Sequence, residues 1–407
     1  MRLSPAQIDE LKARVDLVKL AGDMGAELRR HGAAMMGSCP LCGGSKKTTR
    51  FEVKGDKWVC AACSEGGDAL ALVQKVRGLD FRAAVEFLGG AATIDAEQEA
   101  RLERERAARE KQRAEVAAKM RAGAIASAWR LWHGAGQFDL ASVRSYLEAR
   151  GCALPGTAEI HFGRQTPYFH GEIVDPVNGK KSPRVLCRGP AMLSAVRDNA
   201  GEFVAVHLTY LNDDCSGKAR IENPDFNPET DDEKLRYLPA KKQRGAKKGG
   251  HITLRHHPEA TRLFLGEGIE TVLSVATALR ATGKLAAGDA FWSACDLGNL
   301  GGDAVESVRH PTLKQKNGPA MKVPGPLPDM DSPGIAIPAS VTRLVLLGDG
   351  DSDPFTTQMA MKRAAARYRR DGLHIAIVWA PKDMDFNDIL LGRAPATDIH
   401  VTDGAAA

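Results

Sequence analysis

The alternation of apolar and polar positions changes character several times along the chain. At residues 51–59, Phe51 and Val53 alternate with polar neighbours, Gly55-Asp56 supplies a tight turn, and Trp58-Val59 starts a return strand. This period of two predicts a hairpin. The pattern then becomes helical. Asp68 stands before "ALALVQKVRG" and Asp80 before "FRAAVEFLGG", each a segment with an acidic cap that stops at glycine. From Glu97 to Arg121 large apolar residues are scarce, while Glu97/Arg101, Glu105/Arg109 and Glu115/Lys119 fall at i, i+4. No apolar heptad is sustained, so the prediction is a solvated single helix used as a linker.

An apolar and aromatic helical pattern follows around Trp129, Leu131 and Trp132, and "VRSYLEARG" reads as a helix stopped by Gly151. "AMLSAVRD" and "EFVAVHLTYL" read as short helical or strand elements. Near the C-terminal end the pattern is strand, turn, helix. Leu263–Leu265 form a buried strand, Glu267 sits between glycines, and Ile269, Val272, Leu273, Ala276 and Leu279 make one helix face. The same order recurs with a strand at Leu344–Leu347, Asp349, Asp351 and Asp353 after it, and a helix from about Thr357 to Arg370. "HIAIVWA" adds a strand and "PKDMDFNDIL" an acidic turn. Such alternation predicts a parallel sheet covered by helices, with the working crevice beyond the carboxyl ends of the strands. The Pro- and Gly-rich stretch "LKQKNGPAMKVPGPLPDMDSPGIAIP" between the acidic strands reads as an irregular excursion without an assigned task.

With 407 residues the chain exceeds one ordinary domain. The expected divisions are 1–92, a charged helical linker at 93–123, a middle region at 124–257 and a C-terminal domain at 258–400. No apolar run approaches the roughly 18 residues of a membrane span. The N-terminus mixes acids and bases where a secretory signal needs an apolar stretch, so a cytoplasmic protein is expected. A formal charge of +5 is compatible with an anionic partner. The cations cluster in "KLRYLPAKKQRGAKKGG", where Lys234, Arg236, Lys241, Lys242, Arg244, Lys247 and Lys248 occur with no acid between them. Such a run suits a phosphate backbone, or forms a mobile solvated loop.

Cysteines sharpen the picture. Cys39 and Cys42, then Cys60 and Cys63 after seventeen intervening residues, have the spacing of two zinc knuckles, and with the hairpin between them they predict a zinc ribbon. Cys152, Cys187, Cys215 and Cys295 are scattered and read as small buried hydrophobes. The alternating aspartates at 349, 351 and 353 do not fit an EF-hand, since Pro354 and Ala360 stand where glycine and glutamate are needed. An aspartyl phosphatase motif would stand nearer the start of its domain. A magnesium site at the mouth of the sheet fits better, with water positions open to substrate phosphates.

The pairing of Glu267-Gly268 with Asp349-Gly350-Asp351, each after a strand, resembles the Toprim domain of bacterial primases, topoisomerases and some nucleases. "QIDELKARVDLVKLAGDMGAELRRHG", the cysteine pairs, "TTRFEV", "WVCAAC" and "GGDALALVQ" resemble the zinc-binding domain of bacterial and phage primases. Those domains usually have histidine at the second ligand position, where this chain has Cys42, an equally good zinc ligand. "LWHGAG", "VRSYLEARG" and "AVHLTYLN" are similar to the region before the Toprim domain in primase-like proteins of phages and mobile elements, and "DFNDIL" is common at the end of such domains.

The resemblance implies a multidomain α/β protein, with an N-terminal zinc ribbon and helices, an α+β middle region and a C-terminal Toprim domain whose parallel sheet is flanked by helices. It implies a primase that makes short RNA primers on single-stranded DNA from nucleoside triphosphates, with structural Zn²⁺ and catalytic Mg²⁺ or Mn²⁺. Asp349 and Asp351 would hold the metal and Glu267 would ligate it or assist proton transfer, with Asp353, Asp385 and Asp388 as secondary candidates. Lys46, Lys47, Arg50 and Trp58 on the ribbon are candidates for DNA contact, with Trp58 equally readable as core. A Toprim nuclease and a non-catalytic DNA-binding replication protein are the alternatives, while a topoisomerase would need a tyrosine-bearing gate domain for which no region is large enough. There is no G-x-x-x-x-G-K-[ST] loop, so a replicative helicase is expected as a separate partner.

Overall fold

The computed structural model describes residues 5–43, 50–89, 96–136, 140–315 and 318–404. The chain divides into two compact units, 1–117 and 118–407. In the first, helices α1 (Pro5–Arg14) and α2 (Leu17–Asp23) precede an antiparallel sheet of β1 (Leu28–His31), β2 (Ala34–Gly37), β3 (Phe51–Lys54), β4 (Lys57–Cys60) and β5 (Glu65–Gly67), followed by α3 (Ala69–Arg77) and α4 (Phe81–Phe87). The strands β3 and β4 are the expected hairpin, turning at Gly55 with φ 61°. Asp68 and Asp80 cap α3 and α4 by accepting from the amides of Ala71 and Ala83, and Gly78 ends α3 in the left-handed region.

Helix α5 (Ala96–Gly134) is continuous through the expected boundary at 123/124. Its first part carries exposed ion pairs such as Arg101–Glu105 and Arg106–Glu110; its last turns bury Ala128 and Trp132. One helix thus changes from solvated to core-forming where aromatic residues replace the Glu/Arg pattern.

The second unit has two sheets. Helix α6 (Ala141–Ala149) leads to β6 (Ile160–Val174), β7 (Lys181–Arg197) and β8 (Phe203–Tyr210), with a short pair β9 (Ile221–Glu222) and β10 (Tyr237–Leu238), and then β11 (Lys241–Gly245). The antiparallel order is β11-β8-β7-β6. "AMLSAVRD" and "EFVAVHLTYL" are therefore strands, and the basic run, which could be read as a loop, is strand over Lys241–Gly245.

The other sheet has the order β12-β14-β13-β17-β18-β19, formed by β12 (Ile252–Arg255), β13 (Arg262–Gly266), β14 (Asp289–Ser293), β17 (Arg343–Gly348), β18 (His374–Trp379) and β19 (His400–Asp403). Its four inner strands are parallel and its two outer ones antiparallel. Phe264, Phe291, Val345 and Leu347 pack on one face with α7 (Ile269–Ala281), α10 (Phe386–Leu390), α6 and strands of the middle region. Leu263, Leu265, Leu344 and Leu346 pack on the other with α8 (Leu297–Leu300) and α9 (Pro354–Tyr368). Burial on both faces explains why these strands are uninterrupted apolar runs. The Pro- and Gly-rich excursion contains part of an antiparallel hairpin, β15 (Ser307–Lys314) with β16 (Ala320–Pro324). No helix among the described residues is long and apolar enough to cross a membrane.

Candidate zinc and acidic sites

The sulfur atoms of Cys39, Cys42, Cys60 and Cys63 all lie within 4.8 Å of one another. Cys39 Sγ is 3.9 Å from Cys63 Sγ, and Cys42 Sγ is 3.9 Å from Cys60 Sγ. Four thiolates about 2.3 Å from a tetrahedral zinc ion stand roughly 3.8 Å apart, so the set fits zinc. β4 places Cys60 and the turn after it Cys63, while the turn after Cys39 folds back through the Gly43 amide donating to the Cys39 carbonyl (3.0 Å). Burial pushes the Cys63 thiol up to about 12; a bound cation reverses that preference.

Trp58 is 2% exposed, packs against Phe51 with ring centroids 5.5 Å apart and donates to the Asp68 carbonyl (3.0 Å). It is a core residue, and its expected stacking on DNA is corrected: the inward face of β4 takes the ring, and the indole N–H is used by the backbone. Arg50 is exposed. Lys46 and Lys47 lie outside the described residues.

The acidic residues sit at the carboxyl edge of the parallel sheet. Gly266 is in register with Leu347, so Glu267 and Asp349 leave adjacent strands side by side. Glycine is required at 350, where a Cβ would stand 2.0 Å from the Pro381 carbonyl oxygen. Asp349 Oδ2 accepts from the Thr271 hydroxyl (2.8 Å), while Oδ1 is buried without a hydrogen-bond partner. Burial, opposed by Thr271 and reinforced by the charges of Asp351, Asp385 and Glu267, pushes the Asp349 carboxyl up to about 7. Burial also raises Glu267, with Lys241 opposing it and Asp351 reinforcing it. Asp351 is exposed.

The secondary candidates have structural partners. Asp353 caps α9 by accepting from the Thr356 amide (2.8 Å) and hydroxyl (2.6 Å), and it accepts from His310 Nε2 (2.9 Å). These bonds, Thr356 first, lower it to about 2. Asp385 and Asp388 form a reciprocal capping box on α10, and Asp388 also pairs with Arg393 (3.1 Å). Burial raises Asp385. Among the described residues the four cysteines are the only group of three or more ligand-type side chains with atoms within 4.8 Å of one another. The carboxylates share one edge without converging as a cage.

Most cations of the basic run have partners. Lys241 on β11 reaches Glu270 (2.8 Å), Lys242 lies 4.9 Å from the Tyr168 ring centroid, and Arg244 lies 4.4 Å from that of Phe169. Lys247 pairs with Asp296, Lys248 with Asp303 and Arg236 with Glu233. Lys234 is exposed. Cys152, Cys215 and Cys295 are buried as expected, but Cys187 is exposed on β7, a strand whose outward positions face solvent there.

Sequence reasoning missed Glu270. It is 4% exposed and accepts from Tyr146 (2.7 Å), Lys241 (2.8 Å) and Lys218 (3.1 Å). Burial opposes its charge, but the two ammonium groups hold its carboxyl well below the usual range. The available signal was an acid at the second position of a helix otherwise apolar on that face.

The CHC2 zinc finger model matches residues 3–104. The DNA primase of Staphylococcus epidermidis (strain ATCC 12228 / FDA PCI 1200) is 31% identical over 96 residues, 23% of this chain and 16% of that protein. Over this N-terminal quarter the chain resembles DNA primases. The DNA primase of Staphylococcus aureus (strain COL) is 29% identical over 102 residues, 25% of this chain and 16% of that protein. The chain thus spans about a sixth of the length of these curated relatives. Residues 122–226 match a domain of unknown function, DUF7146. Among solved structures, the zinc-binding and RNA polymerase domains of Aquifex aeolicus primase align over 96% of this chain and 83% of that one, at 13% identity and a TM-score of 0.35. A DnaG primase catalytic domain bound to single-stranded DNA aligns over 68% and 80%, at 13% identity and a TM-score of 0.37.

Proposed function

We propose that this chain is a primase that joins nucleoside triphosphates into short RNA primers on single-stranded DNA. In this reading residues 1–92 are the zinc-binding domain, 93–123 the linker, 124–257 the middle region and 258–400 a Toprim domain. The observation that carries it is the unpartnered, buried Oδ1 of Asp349 beside Glu267 at the ends of adjacent parallel strands, in a chain that also carries a primase zinc ribbon. Hard carboxylate oxygens at a strand edge suit Mg²⁺ or Mn²⁺, which needs only one or two protein carboxylates when phosphates and water complete its shell. Asp349, Asp351 and Glu267 would hold it. When bound, the ion would neutralise the reacting phosphates and activate the attacking hydroxyl. Glu267, raised by burial, is suited to accept that proton. Thr271 keeps Asp349 Oδ2 fixed, leaving Oδ1 free.

Exposed cations such as Arg50 and Lys234 would bind template, and a separately encoded helicase and cytoplasmic location accompany the activity. The test is template-directed dinucleotide synthesis with Mg²⁺ or Mn²⁺, in which Asp349→Ala plus Asp351→Ala should lower the rate at least about 100-fold. Unchanged synthesis sinks the site, and cleavage without synthesis makes it a nuclease. The lack of three converging carboxylates among the described residues favours a second reading, a non-catalytic DNA-binding module. Single-stranded DNA binding with no synthesis under either metal would establish it.

A further inference from the structure

The β15–β16 hairpin is a separate two-stranded sheet in the chain connection from β14 to β17, and the site chemistry makes no use of it. From Ser307 to Pro328 the sequence has no Asp or Glu. Arg309 lies directly across from Lys322 in the antiparallel register, and both are exposed, as is Lys314 near the turn. Like charges facing each other on a two-stranded ribbon destabilise it, so the pairing is unfavourable to the hairpin itself. None of these three cations has an ion-pair partner among the described residues, in contrast to Lys241, Lys247 and Lys248.

The root of the hairpin is fixed. His310, 3% exposed, donates from Nε2 to Asp353 Oδ1 (2.9 Å) and accepts at Nδ1 from the Leu313 amide (2.8 Å). Arg363 on α9 donates to the Gly325 carbonyl (2.7 Å) at the other strand's end. A rigidly anchored ribbon therefore projects uncompensated positive charge beside the loop that carries Asp349 and Asp351.

We propose that this hairpin is a binding surface for the phosphate backbone of single-stranded DNA, with Arg309 and Lys322 as its paired phosphate ligands and His310 as the residue that ties it to the acidic loop. A phosphate between the two cations relieves their repulsion and releases condensed counterions. The choice of single-stranded DNA rests on the proposed primase reading, while the anionic class of the partner follows from the hairpin's charge alone.

The test is fluorescence anisotropy of the full chain with a labelled oligothymidylate, titrated over a range of KCl in magnesium-free buffer. Arg309→Glu and, separately, Lys322→Glu each convert the facing pair into an ion pair, so each variant should melt no lower than wild type. Each should nevertheless bind several-fold more weakly, with a salt slope shallower by about 0.7 for each phosphate that the variant no longer neutralises. Wild-type affinity and slope in both variants overturn the proposal, as does an equal weakening in Lys284→Glu, an exposed cation before β14 that reports net charge alone. Weaker binding to an RNA–DNA hybrid but not to the single strand overturns the choice of partner. Because binding is read without metal or synthesis, these outcomes are independent of whether Asp349 and Asp351 are catalytic.

Discussion

The cysteine site and the acidic site place their candidate ligands in opposite ways. The four thiols close to within 4.8 Å of one another, at the separation a tetrahedral ion requires. The carboxylates share a strand edge without closing, and burial and mutual repulsion push Asp349 up to about 7. In the ribbon, ligand geometry and fold are the same thing: the hairpin between the cysteine pairs buries Phe51 and Trp58 on the inward face that ends in Cys60. At the sheet edge the half-buried Glu267 and Asp349 are a cost to the fold, because burial and neighbouring carboxylates oppose their charge. A closed thiol set suits a metal that stabilises the structure, whereas the open acidic edge suits the exchangeable metal of the proposed function.

The largest effect should come from the ribbon. Cys60→Ser plus Cys63→Ser should abolish zinc content and cooperative folding of the first unit, a loss on the order of 10 kcal/mol in isolated zinc modules. Metal analysis with circular dichroism reads this, and a fully folded, zinc-free ribbon would break the contrast. Next comes Glu270→Ala, which leaves the Lys241 and Lys218 ammonium groups facing each other without their carboxylate. It should cost about 3 kcal/mol in denaturant melts.

A smaller effect of opposite sign is expected at Asp349. Its folded carboxyl is raised, so without metal its contribution to stability is fully present below about pH 4 and is lost as pH rises through about 7. Asp349→Asn should therefore melt a few degrees higher than wild type at pH 8, and at the same temperature near pH 4. A lower melting temperature at pH 8 would mean that the acid supports the fold. The smallest effect is at Asp353, where alanine removes a helix cap and should cost about 1 kcal/mol. Synthesis, measured as for the wild type, should persist, which would separate Asp353 from its two neighbours in the triplet.

Legibility followed the range of the interactions. The ribbon hairpin, the Asp68 and Asp80 caps, β13, β17 and β18 could all be read because each depends on neighbours a few residues apart. The continuity of α5 could not, because the change from Glu/Arg pairs to Trp132 looks like a boundary when only composition is seen. The hairpin β15–β16 was hidden by its prolines and glycines, and it depends on His310 meeting Asp353 and Arg363 meeting Gly325 across sequence gaps of 43 and 38 residues. Glu270 was passed over because its partners come from Tyr146, Lys218 and Lys241, on other elements.

The sequence by itself determined the residue types: two CxxC pairs, which suit a soft, closed site, and acids just past apolar strands, of the kind the proposed hard, open site would use. Spacing suffices there, because two residues between cysteines and one between aspartates are fixed by local backbone geometry. Only the tertiary structure decided which acids are free. Asp353, Asp385 and Asp388 are committed to helix caps, Glu270 is held by two lysines, and Asp349 keeps one buried oxygen without a partner. Whether a carboxylate is satisfied depends on the donors that folding brings within hydrogen-bond reach, and those donors are not its neighbours in sequence.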